Sequence, residues 1–591
     1  VHTSDGFSFF ANTSYRMRMD VGDAVQDYLS VEALGDVFDF YIWSGTPREA
    51  LTAYGTLTGL PIFPPEWVFE PWAGGGGGRW RNGPLQDIAL EQMAAMKKFH
   101  ELDIPHSGFY AEGAGATFFG EYKKEELYKV VSFGERHGFK VFSWQFPNMT
   151  QELAQELLPE CPKEELPITR NENDEEEKLP VYIDFSHPRA KELLAAQWKD
   201  RLDAGIRGSM VDFGDVVPDE AVFYDGRRGD EMHNAYAYQY AKNYRELFEQ
   251  KYGDDHVLYT RGAAPGSQHF ACQFGGDQLT SFQGLKYAIA GGLSAAASGL
   301  PFWGVDAGGY DGFPDQETYL RWTEYAAFCP LMRFHGTEPR EPWEYDAFTV
   351  KVYRYYAWLR ENLRPYIVSV AAEAHKLGIP MMRPLAMIYP EDQEATKVWD
   401  EYLFGEDLLV APVSDETEER EIYFPEGRWI SLWNLNDEIS GPVQRSVEVP
   451  IDKIPVYVRE GSFLPLRLNE NLKLGESMSE SETEMILAVV PQNDSIVKET
   501  LYERSGAKTC CGMEKNGETI QLQISGKTVE LYVMLAGIHW KNTEAIVNGR
   551  TLTKVTAREG LYFTEGYLEL EEGILVKINP SAESVIKIQK K

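Results

Sequence analysis

Gly208-Ser209-Met210-Val211-Asp212-Phe213-Gly214-Asp215 is a short apolar run that ends on acids around a glycine. Four compact, mostly apolar residues followed by Asp and Gly read as a buried strand with a sharp stop. Runs of the same kind recur on either side, at 67–73, 106–112, 140–147, 256–262, 270–277, 301–309 and 329–336. Between them lie stretches with helical periodicity at 85–102, 125–137, 188–204 and 230–252. Eight short strands, most followed by a helix or crossover, predict an α/β fold built on a (β/α)8 TIM barrel.

The barrel pattern occupies 61–378, with a charged excursion at about 147–182 in the third crossover. Before it, residues 1–60 read as the end of an N-terminal β-sandwich domain, with strands at 6–10 and 37–43 and a short helix from Pro47. After it, strand patterns with Gly, Pro, Asn and Asp turns predict a proximal β-sandwich at 379–466 and a distal β-domain at 467–591.

Composition narrows the partners. The 591 residues carry 57 Lys and Arg against 92 Asp and Glu, a net charge of −35, which repels nucleic acid and anionic lipid. No apolar run reaches the roughly 18 residues of a membrane span. A neutral or small substrate is the default partner, with no nucleic acid and no membrane expected, and homo-oligomer formation is left open. Five cysteines without a CxxC pair predict free thiols and a cytoplasmic location.

In such a barrel the chemistry collects at the C-terminal ends of the strands. The polar residues there are Glu112, Asp212, Asp215, Arg261, Asp277, Asp306, Arg333 and His335. Trp72, Tyr110, Trp144, Phe213, Phe274, Trp303, Tyr310 and Phe334 are interleaved with them. Two carboxyl groups about a reacting centre, donors for hydroxyls, and rings for the apolar faces of a pyranose are the needs of glycoside hydrolysis. There is no P-loop and no HExxH, and Gly74–Gly78 lacks the GxGxxG context. Neither a metal nor a cofactor is expected. Asp306 suits a structural role better than a catalytic one. Arg79 and Arg81 suit solvated positions better than ligand binding.

Five segments together resemble glycoside hydrolase family 31. They are 208–215; Arg261-Gly262-Ala263-Ala264-Pro265-Gly266-Ser267-Gln268; Gly275-Gly276-Asp277-Gln278; Trp303-Gly304-Val305-Asp306-Ala307-Gly308-Gly309-Tyr310; and Leu331-Met332-Arg333-Phe334-His335-Gly336. The resemblance implies a retaining, exo-acting α-glycosidase with Asp212 as nucleophile and Asp277 as general acid/base. It implies that Arg261 and His335 hold sugar hydroxyls. Glu112, Trp72, Trp144, Trp303, Phe213, Tyr310 and Asp306 complete the candidate substrate-binding set. The chain departs from the family in having Asp215 where Glu is usual, and Glu112 where many relatives place an Asp. Asp-Phe-Gly-Asp, Met232-His233-Asn234 and Gly309-Tyr310 are similar to the sulfoquinovosidase-like branch, whose Gln-Asp-Trp is missing here. Sulfoquinovosidase and α-transglycosylase activity remain alternatives, and a non-catalytic carbohydrate-binding protein is the weakest reading. Two neighbouring carboxylates with an Arg beside one predict a low pKa for Asp212 and a raised one for Asp277.

Overall fold

The computed structural model describes residues 1–26, 28–75, 85–111, 113–114, 122–171, 181–479, 484–492, 496–503, 505–526, 531–562, 564–579 and 583–591. Its centre is a ring of eight parallel strands: β1 (Trp72–Gly75), β2 (Gly108–Ala111), β3 (Lys140–Gln145), β4 (Gly208–Val211), β5 (Val257–Thr260), β6 (Cys272–Phe274), β7 (Trp303–Gly304) and β8 (Arg333–Phe334). Every residue of β2, β4 and β5 is buried, as expected for parallel strands covered on both faces. β8 pairs with β1, and the ring closes between β7 and β8 through one parallel bridge, Gly304 to Leu331.

The helices lie outside the ring. Leu85–Glu101, Lys124–Arg136, Ala190–Ala204 and Gly229–Tyr252 fall where the periodicity puts them. Two details differ from the sequence reading. Residues 67–69, expected at the head of β1, fall in the 3₁₀ turn Glu66–Phe69, so the strand starts at Trp72. The β5–β6 crossover has only the short 3₁₀ turn Ser267–His269.

A long helix, Ala347–Leu377, closes the barrel from below. Its fully buried Arg360 donates to Phe69 O at 2.7 Å and Ala327 O at 3.1 Å, and also to Cys329 O and Pro330 O. One guanidinium thus fixes the approaches to both β1 and β8.

The described part of the third-crossover excursion is anchored. Val181–Tyr182 pairs with Asn148–Met149, and Arg170–Asn171 pairs with Ala221–Val222 from the loop after β4. Asp184 fastens the segment further, accepting from Ser186 N at 2.9 Å and Tyr224 N at 2.6 Å.

At the N-terminus, Phe7–Asn12 pairs with Asp39–Ser44, and Met17–Val21 with Leu29–Ala33. Helix Pro47–Thr58 follows, its start fixed by a Thr46–Glu49 capping box. Beyond the barrel, six strands from Met382–Pro384 to Val456–Arg459 form one antiparallel sheet. Two further six-stranded sheets enclose a core that includes Phe463, Val489, Met513, Ile520, Val533 and Ile586. Strand Phe463–Leu468, read from sequence as part of the proximal unit, pairs instead with Glu484–Val489 of the distal sandwich. Among the described residues no helix is long and apolar enough to cross a membrane.

Trp72 is one of the side chains filling the ring. It has no solvent exposure, and its indole meets Phe142 at 4.9 Å and Tyr259 at 5.9 Å between centroids. Trp72→Ala is expected to cost about 3–5 kcal/mol, the range for emptying a buried aromatic site. The shift of the denaturant midpoint measures this; a change below about 1 kcal/mol would refute the packing role.

Candidate active site

Asp212 follows β4 directly, and its N–H donates to Gln145 O of β3 at 2.7 Å. The side chain is almost wholly enclosed. Oδ2 accepts from Trp144 Nε1 at 2.9 Å, and Oδ1 accepts from Phe213 N at 2.8 Å. Arg261 Nη1 stands 3.4 Å from Oδ1. The backbone turns sharply here: Phe213 has φ +59°, a left-handed conformation that costs a non-glycine residue energy and persists only where neighbours hold it. The turn leaves the Phe213 ring exposed at the mouth.

Arg261, just after β5, divides its guanidinium between two acids. Besides Asp212 it reaches Asp215 Oδ1, with Nη2 at 3.1 Å and Nε at 3.3 Å. It also lies 4.2 Å above the Phe213 ring, a cation–π contact. Two glycines make room. A Cβ on Gly262 would come within 2.8 Å of Asp215 N, and one on Gly276, at φ +78°, within 2.9 Å of the Arg261 side chain.

Asp277 stands exposed in the loop after β6, and its charge acts on Asp212. Burial pushes the Asp212 pKa above the ordinary carboxylate value; Arg261, Trp144 and the Phe213 N–H oppose that shift, and Asp277 adds to it. The low value expected from sequence is therefore reversed. The sequence shows that Arg261 is near but not how deeply Asp212 is enclosed.

The wall of the mouth is aromatic. Trp144, Phe146 and Phe213 lie 4.9–6.2 Å apart between centroids. Opposite them, His335 sits between Tyr110 at 4.4 Å and Tyr310 at 5.5 Å. Two members of this arrangement escaped the sequence reading. Phe146 lay inside a strand pattern with nothing to mark it. Arg340 lay beyond the last strand. It is buried, and its guanidinium donates to carbonyls: Gly309 O at 2.7 Å, Gly312 O at 2.7 Å, Glu338 O at 2.9 Å, and more distantly Tyr310 O and Pro339 O. It ties the Tyr310 loop to the segment after His335.

Three candidates lie elsewhere. Trp72 fills the barrel core. Trp303 points outward, its indole against Gly275 and against Gly291 and Gly292 of helix Phe282–Ala297. Asp306 has no solvent exposure and is ion-paired with the equally buried Arg333, which lies over Tyr259 at 4.5 Å and Phe274 at 5.3 Å. Alternation along a strand separates its two faces but does not say which one meets the mouth, so Trp72 and Trp303 were drawn to it in error, while Asp306 holds a buried, ion-paired place of the structural kind. Glu112, Arg79 and Arg81 fall outside the described residues. Among the described residues no group of three or more His, Cys, Asp or Glu is placed to hold a metal ion.

An eight-stranded barrel whose mouth gathers two acids, an arginine, a histidine and an aromatic wall defines the class of (β/α)8 carbohydrate-active proteins. The Glycosyl hydrolases family 31 TIM-barrel domain matches residues 62–370, and the Glycosyl hydrolase family 31 C-terminal domain matches 378–464. The chain belongs to glycoside hydrolase family 31. It is 27% identical to an isomaltosyltransferase of Sporosarcina globispora over 98% of this chain and 58% of that protein. It is 32% identical to the sulfoquinovosidase of Escherichia coli, over 47% of this chain and 43% of that one. The cycloalternan-forming enzyme from Listeria monocytogenes, solved with a pentasaccharide substrate, superposes with a TM-score of 0.88 at 23% identity, covering 99% of this chain and 60% of its own. The chain thus spans about three-fifths of the isomaltosyltransferase and of the Listeria enzyme.

Removing one partner of a buried ion pair strands the other charge. Arg333→Met is expected to destabilise the protein by about 3–5 kcal/mol. Adding Asp306→Leu to it is expected to recover much of the loss, and denaturant titration of the two single variants and the double variant measures both effects. Simple additivity of the single changes would contradict the pairing.

Proposed function

We propose that this chain is a retaining, exo-acting α-glycoside hydrolase that removes a terminal glucose-type sugar or a relative modified at C4 or C6. Asp212 is the nucleophile and Asp277 the general acid/base. The observation that carries the reading is the state of Asp212: enclosed, aimed by an indole and a backbone N–H, and facing Arg261 at 3.4 Å. A carboxylate so fixed is pre-organised for attack on an anomeric carbon. Asp277, exposed in the loop after β6 and near enough for its charge to act on Asp212, is the group that exchanges a proton with the leaving group and with water.

In the first step Asp277 protonates the glycosidic oxygen while Asp212 attacks the anomeric carbon, giving a covalent glycosyl–enzyme. In the second, water enters, Asp277 takes its proton, and the sugar leaves with retained configuration. Arg261 and His335 hold hydroxyls, while Trp144, Phe213 and Tyr310 present their rings to the sugar. Transfer to an acceptor sugar in place of water is a second reading, supported by the likeness to an isomaltosyltransferase along nearly the whole chain. Product analysis at high substrate concentration separates the two. A sulfoquinovoside is a weaker candidate, because the likeness to that enzyme covers less than half of the chain. A cytoplasmic location belongs to the same proposal and is supported by the five free cysteines.

The first product, followed by NMR, is expected to keep the α configuration; an inverted product refutes the double displacement. Asp277→Ala is expected to lose roughly 10²–10⁴-fold on poor leaving groups and far less on good ones, which need no protonation. Equal losses on both would remove Asp277 from the role.

The pH dependence follows from the upward shift of Asp212. Activity needs the ionised form, so kcat/KM is expected to fall on the acid side with a midpoint above the ordinary carboxylate value of about 4. Trp144→Phe removes a donor that favours the charged form, so this acid limb is expected to move further up. A limb that stays put or moves down would show that the indole does not support the ionised carboxylate.

A further inference from the structure

Beside the mouth, on the outer wall of the barrel, a groove of about 580 Å³ opens between the turn after Phe7–Asn12, the start of helix Ala190–Ala204, helix Gly229–Tyr252 and the loop after β5. That volume is ordinary for a small-molecule site. Helix Gly229–Tyr252 has two adjoining faces. Met232, Tyr236, Tyr240, Tyr244 and Phe248 are buried against the barrel. Tyr238, Gln239, Lys242 and Asn243, three and four residues apart, line the groove.

Two of these groups are unused by the protein. Gln239 Oε1 is enclosed without a hydrogen-bond partner among the described residues, a costly state for an acceptor. Lys242 has no ion-pair partner among the described residues, although the chain carries 92 acids. The other cations of the groove are already neutralised: Lys191 by Glu246 at 2.6 Å, and Arg227 by Asp225 at 2.5 Å. An anion would find one free charge there. Amides and an ammonium beside the Tyr238 ring and the apolar Pro265 suit a neutral polyhydroxylated chain instead. Its hydroxyls both donate and accept, and its C–H faces cover rings. Pro265 stands four residues after Arg261, so at most about 14 Å of backbone separates groove from mouth, a span of a few sugar units.

We propose that this groove is an accessory site for a neutral oligosaccharide, holding the part of a substrate that extends beyond the mouth; the inference rests on the α-glycosidase reading. It predicts that kcat/KM rises with chain length along a series of linear α-gluco-oligosaccharides up to about seven units. Tyr238→Ala combined with Lys242→Met is expected to lower kcat/KM on the longest chain about fivefold or more, through KM, and to leave an aryl α-glycoside within about twofold. Gln239→Leu with Lys242→Met, which keeps the Tyr238 ring packed on Phe270, serves if the first variant does not fold. Equal losses on long and short substrates, or no loss on the long one, overturn the proposal. If the wild type turns over no α-glycoside, the functional reading fails, and calorimetric titration with the longest oligosaccharide judges the groove alone. Binding weakened about fivefold in the variant supports it; equal binding, or none to the wild type, overturns it.

Discussion

Arg333 and Asp306 put a charge pair in the interior of the barrel, with no contact to solvent on either side chain. Moving such ions out of water costs several kcal/mol each, and only good geometry returns it. Here the guanidinium lies among the rings of Tyr259 and Phe274, and the Asp306 N–H is taken up by Gln278 Oε1 at 3.2 Å. The pair sits where the ring is thinnest, between β7 and β8, whose strand pairing amounts to one bridge. Ala307 N to Arg333 O at 3.0 Å continues the seam. Gln278 after β6, Asp306 after β7 and Arg333 in β8 are therefore linked by polar contacts that replace missing ladder bonds. The residues that face the mouth stand directly on this seam: Asp277 precedes Gln278, and His335 follows Arg333 by two.

Much of this was legible in the chain. Short, uniformly apolar runs marked parallel strands, and each ended on polar residues because a strand that leaves the core meets water there. Asp212, Asp277, Arg261, His335, Trp144, Phe213 and Tyr310 were all read from those ends, and the structure gathers them at one mouth. What failed depends on depth and direction. Trp72 and Trp303 are aromatic residues beside strand ends, as Trp144 is, yet one faces the axis and the other a helix. The sign of the Asp212 shift turns on burial against one arginine, a balance that needs coordinates. Arg340 gave no signal because its partners are carbonyls, which every residue carries. The reassignment of Phe463–Leu468 has a similar cause, since alternation identifies a strand but not its neighbour.

That strand also decides how far the chain is modular. It begins only four residues after Arg459, the end of the preceding sheet, and joins the distal sandwich. The helix that closes the barrel is tied to the same region: Asn362 Nδ2 donates to Arg467 O at 2.9 Å, Asn362 Oδ1 accepts from Gly475 N at 2.7 Å, and Ser369 Oγ accepts from Tyr502 N at 2.9 Å. A recombination point near residue 466 would sever a strand from its sheet, leave an unpaired edge open to aggregation, and strip an acceptor and a donor from the buried Asn362 at once. Across this junction the distal sandwich and the barrel it buttresses behave as one mechanical unit, so neither keeps its buried contacts without the other.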